Sequence, residues 1–203
     1  DASEIVEQIR YILKDMNIED VDYKGERFQI MFMSMGEPFL NYWEVKEAIV
    51  YLHDMYPHAE LLVSTIAPDK DEEFANFLKL SKKIPNIGLQ FSIHRSTDYE
   101  RDKLIPYKNK YTLNQIRDYG LLWWKETGRH PYLNYCIDGT NNMAVNAIYL
   151  MNRFSPLVFN FTFSVVCSSD ENMKEAGFKN LNAIRKFEQL FLENGYNTRI
   201  FDP

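Results

Sequence analysis

Short apolar runs alternate along the chain with longer segments whose apolar residues recur at helical spacing. Runs of four to eight residues rich in β-branched and aromatic side chains are typical of buried strands. The runs lie at about 28–34, 61–65, 87–94, 132–137, 157–163 and 198–201. Strands that alternate with helices in this way predict a parallel sheet with right-handed crossovers.

The segments between the runs predict one leading helix and five further helices. Ser3 is expected to cap the first helix, which runs to about Lys14, and Asp71 is expected to open the third. Capping-box spacing begins the second helix at Asn41 with Glu44 and the fourth at Thr112 with Gln115. The remaining helix signals are Gly128 as a C-terminal cap, a helix that contains Val145, Ile148 and Leu150, and a last helix at about 178–193.

Six strands and a leading helix that no strand precedes predict an α/β fold of a particular kind. We expect a partial parallel (β/α) barrel, TIM-like, that is missing its first strand. The chain stops directly after the last predicted strand, so we expect 1–203 to be a single core domain truncated at both ends.

Composition is that of a soluble globular protein, with 45% hydrophobic and 26% charged residues. We therefore expect no membrane segment, and the two cysteines, Cys136 and Cys167, suit buried thiols in a reducing cytoplasm. A net charge of −6 argues against general electrostatic binding of nucleic acid. The local exception is a mixed-charge loop at 95–110 that carries Arg95, Arg101, Lys103, Lys108 and Lys110.

Candidate functional residues lie where the predicted strands end, because parallel α/β sheets bind ligands at the carboxyl ends of their strands. Gly36 and Glu37 follow the first strand, Ser64 closes the second, and Ser92 and His94 close the third. Each also has an ordinary interpretation as a turn residue, a loop hydroxyl or a structural histidine. No catalytic triad, metal-ligand spacing or glycine-rich phosphate loop is present, so no catalytic residue or metal ligand is assigned.

Taken together, these strand ends resemble those of a known enzyme family. The similar segments are Met33 to Asn41 with its Met-Gly-Glu-Pro pattern, Val63 to Thr65, Ser92 to His94 with the charged run that follows it, and Ile137 to Asn142. They resemble the RlmN/Cfr branch of the radical S-adenosylmethionine (SAM) enzymes, which methylate adenine carbons of ribosomal RNA.

The resemblance implies a SAM site and radical chemistry initiated by reductive cleavage of SAM. In that reading Gly36 and Glu37 hold the SAM amino group, and Ser64 and Ser92 hold its carboxylate or ribose. The remaining implied contacts are Ile93 and His94, with His94 on the adenine side, and Asn160 on the fifth strand. The full-length protein is then expected to be a cytoplasmic methyltransferase that uses a reductant protein and acts on RNA through the loop at 95–110.

Three departures from the family shape these expectations. The chain has no Cys-x3-Cys-x2-Cys motif for a [4Fe–4S] cluster and no methyl-accepting cysteine near its carboxyl end. We expect the cluster to come from residues upstream of Asp1, and we expect this chain alone to be inactive. Arg95 and Ser96 stand where the family has Ala-Pro, so a radical SAM enzyme with a non-RNA substrate is an alternative. Two others are a non-catalytic adenosyl-binding or interaction domain and an unrelated partial barrel.

Overall fold

A computed structural model describes residues 1–16, 27–33, 36–165 and 173–201, apart from the side chains of 173–180. The motif residues Ser34 and Met35, and also Cys167, lie outside the described residues. The chain divides into two compact units, Asp1–Leu89 and Gln90–Pro203. The expectation of a single domain stays a prediction.

All observed strand pairs are parallel. The strands are β1 Gln29–Phe32, β2 Glu60–Thr65, β3 Ile87–Ser92, β4 Tyr132–Ile137, β5 Asn160–Val165 and β6 Thr198–Ile200. They follow one another in chain order in a six-stranded sheet. The predicted α/β class with a parallel sheet is confirmed.

Helices connect the strands, as the apolar spacing predicts. They are α1 Ala2–Asp15, α2 Tyr42–Met55, α3 Asp71–Lys83, α4 Asp98–Leu104, α5 Leu113–Thr127, α6 Ala144–Arg153 and α7 Met173–Leu192, with a 3₁₀ helix at Pro38–Leu40. Helix α4 lies within the predicted charged loop. It begins because the Thr97 side chain accepts a hydrogen bond from the Glu100 N–H, and its acidic first turn and basic last turn complement the helix dipole. Among the described residues, none of the helices has the length and apolar character needed to span a membrane.

Two capping predictions are confirmed and two are wrong. Thr112 and Gln115 form the predicted capping box of α5, which Gly128 ends in the left-handed region at φ +72°. Helix α1, by contrast, is capped by Asp1 rather than by Ser3.

The second wrong prediction is the capping box of α2. Asn41 makes no side-chain cap bond there, and Glu44 Oε2 accepts a hydrogen bond of 2.7 Å from the Ala2 N–H of α1 rather than from the start of its own helix. A carboxylate near two helix starts can satisfy either one, and here the tertiary contact is the one formed.

Aromatic side chains fill the core of each unit. In the first unit, Phe39 of the 3₁₀ helix stacks on Phe74 of α3 with a centroid distance of 3.9 Å, which fixes the short helix after β1 against the core. In the second unit the fully buried rings of β5 and α7 pack on one another, with 4.6 Å between the centroids of Phe161 and Phe191. These two cores hold the strand ends in place.

The buried face of α6 does not include all of its large apolar residues. Val145 and Ile148 are 43% and 49% exposed, whereas Ala147 and Leu150 are buried. The apolar spacing of this helix fits two faces, and the buried one is set by packing rather than by the larger side chains.

Candidate cofactor-binding site

Glu37 lies directly after β1, in a turn that Gly36 makes possible with a φ of +89°. Its Oε1 accepts hydrogen bonds from the Phe39 N–H at 3.1 Å and from Thr65 Oγ1 at 2.5 Å. Its Oε2 accepts one from the Ile66 N–H at 2.8 Å. Glu37 therefore caps the 3₁₀ helix and ties it to the end of β2.

The electrostatic state of this carboxylate favours a cationic ligand. Burial raises the pKa of Glu37, and the bonds from Thr65, Ile66 and Phe39 only partly oppose that effect. An ionised carboxylate has about four acceptor positions, and donors among the described residues use three of them, which leaves one position on Oε2 for a further donor. A positively charged donor would offset the cost of burying the charge.

A cavity of 220 Å³ opens beside this turn within the first unit. Its lining is mostly apolar and comes from α1, β1, the turn and the start of α2. Gly36 and Glu37 belong to the lining, and Gln8 and Asn41 are its other polar contributors. An apolar cavity with few polar groups is the usual form of a small-molecule site.

Ser64 is buried one residue before the end of β2. Successive strand residues point to opposite faces, so Ser64 and Thr65 cannot both face Glu37, and the structure gives that contact to Thr65. The sequence pattern does not predict Thr65 as the hydrogen-bond partner of Glu37. Ser64 stays a predicted cofactor contact.

The end of β3 forms a tight turn centred on His94 in the second unit. The Arg95 N–H donates to the Ile93 carbonyl at 2.7 Å, and His94 has a φ of +55°, which is strained for a residue with a Cβ. The Ile93 N–H donates to the Asn134 carbonyl, and its side chain is fully buried. Ile93 thus has packing and turn functions, and its predicted cofactor contact stays a prediction.

The imidazole of His94 is held in one orientation. Its Nδ1 accepts a hydrogen bond of 3.1 Å from the Cys136 N–H, so the proton of the neutral ring lies on Nε2. Burial, followed by the charges of Arg101 and Arg95, lowers the pKa of His94 to about 4. The ring is therefore uncharged near neutral pH.

Asn141, which the sequence analysis quoted only as part of a motif, lies at the centre of this region. Its Nδ2 donates to the His94 carbonyl at 3.0 Å and to the Cys136 carbonyl at 2.7 Å. Its Oδ1 accepts from the Asp138 N–H at 3.2 Å. An asparagine in a turn after a glycine is a common local signal, so spacing alone does not reveal these tertiary bonds.

Most cations of the loop at 95–110 already have partners. Arg95 forms an ion pair with Asp138. The buried Arg101 donates to the Tyr111 carbonyl at 2.7 Å, and Lys110 contacts a carboxylate of α4 at 2.5 Å. These three side chains hold the loop together, so fewer cations face a ligand than the sequence predicts.

Asn160 lies apart from the other candidates of its unit. It is the first residue of β5 and is paired in register with Tyr132, the first residue of β4. The carboxyl end of β5 at Val165 is five residues away, roughly 16 Å along a strand. Its buried Oδ1 has no hydrogen-bond partner among the described residues. The predicted SAM contact of Asn160 stays a prediction that this register does not support.

The chain's cysteines do not fit a [4Fe–4S] cluster. Such a cluster needs three thiolates from this family's motif, and the chain has two cysteines, Cys136 and Cys167. In the described part of the chain, no group of three His, Cys, Asp or Glu side chains is placed to hold a metal ion. No step of the reaction is therefore derived through a cluster.

Comparisons with known proteins support the motif resemblance, although no protein-family model matches the chain. It is 26% identical over 177 residues to a probable dual-specificity RNA methyltransferase RlmN of Thermotoga sp. (strain RQ2), covering 84% of this chain and 49% of the relative. It is 29% identical over 207 residues to the RlmN of Pseudothermotoga lettingae, covering 98% and 55%. The chain spans about half the length of these relatives.

The fold is also similar to that of a solved structure. The crystal structure of a radical SAM methyltransferase from Sphaerobacter thermophilus matches 98% of this chain and 57% of its own chain, with a TM-score of 0.75 and 22% identity. The structural likeness shows the fold, and the sequence relatives confirm the family resemblance that the strand-end motifs indicate.

Proposed function

We propose that this chain, which is an RlmN/Cfr-like radical SAM core, binds SAM and forms part of a methyltransferase that modifies adenine in RNA. The observation that carries the proposal is the half-buried carboxylate of Glu37, in which three acceptor positions are bonded and the fourth has no donor in the part of the chain that the structure describes. The SAM ammonium is a donor of the required charge.

Glu37 binds SAM by accepting a hydrogen bond from the ammonium at Oε2. A charge-assisted bond of this kind contributes about 1.5–3 kcal/mol. Thr65 and the Ile66 N–H hold the carboxylate so that it does not need to reorganise on binding. The adjoining cavity of 220 Å³, which Glu37 lines, offers space for a small ligand beside the carboxylate.

The other SAM contacts are proposed from the family resemblance. The resemblance assigns Ser64 and Ser92 to the SAM carboxylate or ribose, and it assigns His94, whose Nε2 is the donor, to the adenine side. SAM supplies the methyl and adenosyl groups of the reaction. An iron–sulfur cluster would be held by residues outside this chain, because its two cysteines do not suffice. A reductant protein would be a separate partner.

RNA is the proposed substrate because the relatives are named as RNA methyltransferases. Lys103 and Lys108 are the exposed cations of the loop at 95–110. The Lys103 ammonium lies 4.1 Å from the ring centroid of the exposed Tyr99. A cation beside an exposed aromatic ring suits single-stranded RNA, in which bases stack and phosphates seek positive charge. A cytoplasmic location follows from such a substrate.

A second candidate is a radical SAM enzyme with a non-RNA substrate. The observation that favours it is the internal bonding of Arg95, Arg101 and Lys110, together with a net charge of −6. Both reduce the positive surface available to a polyanion.

The test uses the protein expressed from its complete gene, anaerobic conditions, a reductant and SAM labelled in its methyl group. Label recovered in an adenine carbon of added ribosomal RNA supports the proposal. Release of 5′-deoxyadenosine without labelled RNA favours the non-RNA substrate. SAM binding with neither product identifies a non-catalytic adenosyl-binding domain.

A further inference from the structure

We propose that Asn141 is a positioning residue that fixes the His94 ring with Nε2 as its protonated nitrogen, ready to donate to the adenosyl ligand. The inference deepens the proposed function and rests on it for the identity of the ligand. The positioning of the His94 ring by Asn141 is supported by the hydrogen bonds of these two residues.

The side chain of Asn141 joins three backbone segments. It is buried and uses both Nδ2 donors, one on the carbonyl after β3 at His94 and one on the Cys136 carbonyl in β4. Its Oδ1 accepts from the Asp138 N–H, and the backbone carbonyl of Asn141 accepts the Tyr135 hydroxyl at 2.7 Å. The amide thus helps to set the distance between the end of β3 and the end of β4, together with the Ile93 and His94 N–H groups, which donate to the Asn134 carbonyl.

This distance determines the hydrogen bond to the imidazole. The Cys136 N–H reaches Nδ1 of His94 only while the two strand ends are held together. The strained φ of +55° at His94 also needs support, and its carbonyl receives it from Asn141 Nδ2 at 3.0 Å and from Arg95 Nη1 at 2.7 Å. Without Asn141, one of these supports and the side-chain link from the His94 carbonyl to the Cys136 carbonyl disappear together, while the His94 N–H still donates to the Asn134 carbonyl of β4.

The tautomer of His94 follows from the hydrogen bond that its Nδ1 accepts from the Cys136 N–H. A ring nitrogen that accepts a backbone N–H carries no proton, so Nε2 is the donor. Among the described residues, none forms a hydrogen bond to Nε2. The charged groups around the ring are Arg95, Arg101 and Asp138, and Arg95 is paired with Asp138. His94 therefore presents an uncharged N–H to an acceptor atom such as an adenine ring nitrogen.

An ordinary role for Asn141 is to close its own turn by accepting the Asp138 N–H. Asn141→Asp separates the two roles, because it keeps an oxygen for that bond and removes both Nδ2 donors. Asn142→Asp is the matched control, since it adds the same charge at the next residue, whose side chain has no hydrogen bond in the described part of the chain.

The experiment records imidazole ¹⁵N–¹H correlation spectra of ¹⁵N-labelled protein without ligand, between pH 5.5 and 8. We expect wild type and Asn142→Asp to show His94 with an unprotonated Nδ1 and a protonated Nε2 that do not change with pH. We expect Asn141→Asp to show mixed tautomers or a titration within this range. A protonated Nδ1 in wild type overturns the proposal without any variant.

Other outcomes are equally decisive. An Asn141→Asp protein that keeps the single Nε2–H tautomer overturns the positioning role. If that variant does not fold, as judged by its thermal midpoint, Asn141→Ala takes its place. SAM titration is the second arm, in which Asn141→Asp is expected to bind about tenfold more weakly, equivalent to about 1.4 kcal/mol. Failure of wild type to bind SAM contradicts the proposed function and is separate from the ligand-free tautomer result.

Discussion

Thr65 Oγ1 donates a hydrogen bond of 2.5 Å to Glu37 Oε1 and thereby joins the turn after β1 to the end of β2. The same oxygen accepts the Ala67 N–H at 2.8 Å, where Ala67 has a φ of +57°. One buried hydroxyl thus stabilises a strained backbone and orients the carboxylate proposed to bind the cofactor.

Replacing Thr65 with valine tests this connection. Thr65→Val keeps the shape but leaves Glu37 with one bond fewer and the Ala67 N–H unpaired, so the free energy of unfolding should fall by about 1–3 kcal/mol. Thr65→Ser retains the hydroxyl and serves as the control. Denaturant unfolding of both variants makes the measurement, and equal decreases for Val and Ser contradict the role of the hydroxyl.

His94 gives the protein a predictable acid response. Its pKa is lowered in the folded state from 6.5 to about 4, so the unfolded chain binds the proton more tightly. The stability due to this group is full above pH 6.5 and is lost as the pH falls towards 4. His94→Gln should flatten the dependence of the unfolding free energy on pH in this window. The same slope in wild type and His94→Gln contradicts the assignment.

The exposed lysines of the loop at 95–110 test RNA binding. Changing Lys103 and Lys108 together to glutamate should weaken RNA binding and reduce the slope of log affinity against log salt by about 0.7 for each phosphate that the variant no longer neutralises. Changing the exposed Lys79 and Lys125 to glutamate produces the same net charge elsewhere. If both double variants bind RNA equally, the loop is not where RNA binds.

Gly120 on α5 tests the packing of the second unit. A Cβ at this position would lie 2.5 Å from Cε1 of Phe159. Gly120→Ala should therefore destabilise the fold by about 1–3 kcal/mol, although alanine is the better helix former. Asp118→Ala, exposed on the same helix, is the control. A Gly120→Ala protein as stable as wild type contradicts the close approach of the ring.

Local signals account for what the sequence predicted well. The capping box of Thr112 and Gln115 and the cap at Gly128 depend on neighbours within a few residues, and the strand and helix periods depend on one buried face. These local signals suffice to predict the parallel sheet and the turn that holds Glu37.

The sequence alone does not predict which hydrogen-bond partners the polar side chains have. Glu44 has the spacing to cap its own helix, yet it binds the distant Ala2 N–H. The same limit applies to Thr65, Asn141 and Asn160. Whether each of them contacts a candidate site residue depends on the strand register and on the face of the sheet. Such contacts join residues tens of positions apart, which no local spacing encodes.

The central claim is that Glu37 accepts the ammonium of SAM, and a substitution there also disturbs the fold. In Glu37→Gln the amide nitrogen cannot accept the Ile66 N–H, so part of any decrease in affinity is structural and common to all ligands. Ligands with and without the ammonium separate this part from the interaction of interest. The exposed Glu47→Gln on α2 controls for the change of net charge.

The deciding measurement is the affinity of wild type and Glu37→Gln for SAM, decarboxylated SAM and 5′-methylthioadenosine by titration calorimetry. SAM and its decarboxylated form carry the ammonium, so their affinities should fall by about 1.5–3 kcal/mol, on the order of tenfold to a hundredfold. The affinity for 5′-methylthioadenosine, which has no ammonium, should change by less than about threefold. An equal change for all three ligands, or none for SAM, contradicts the account.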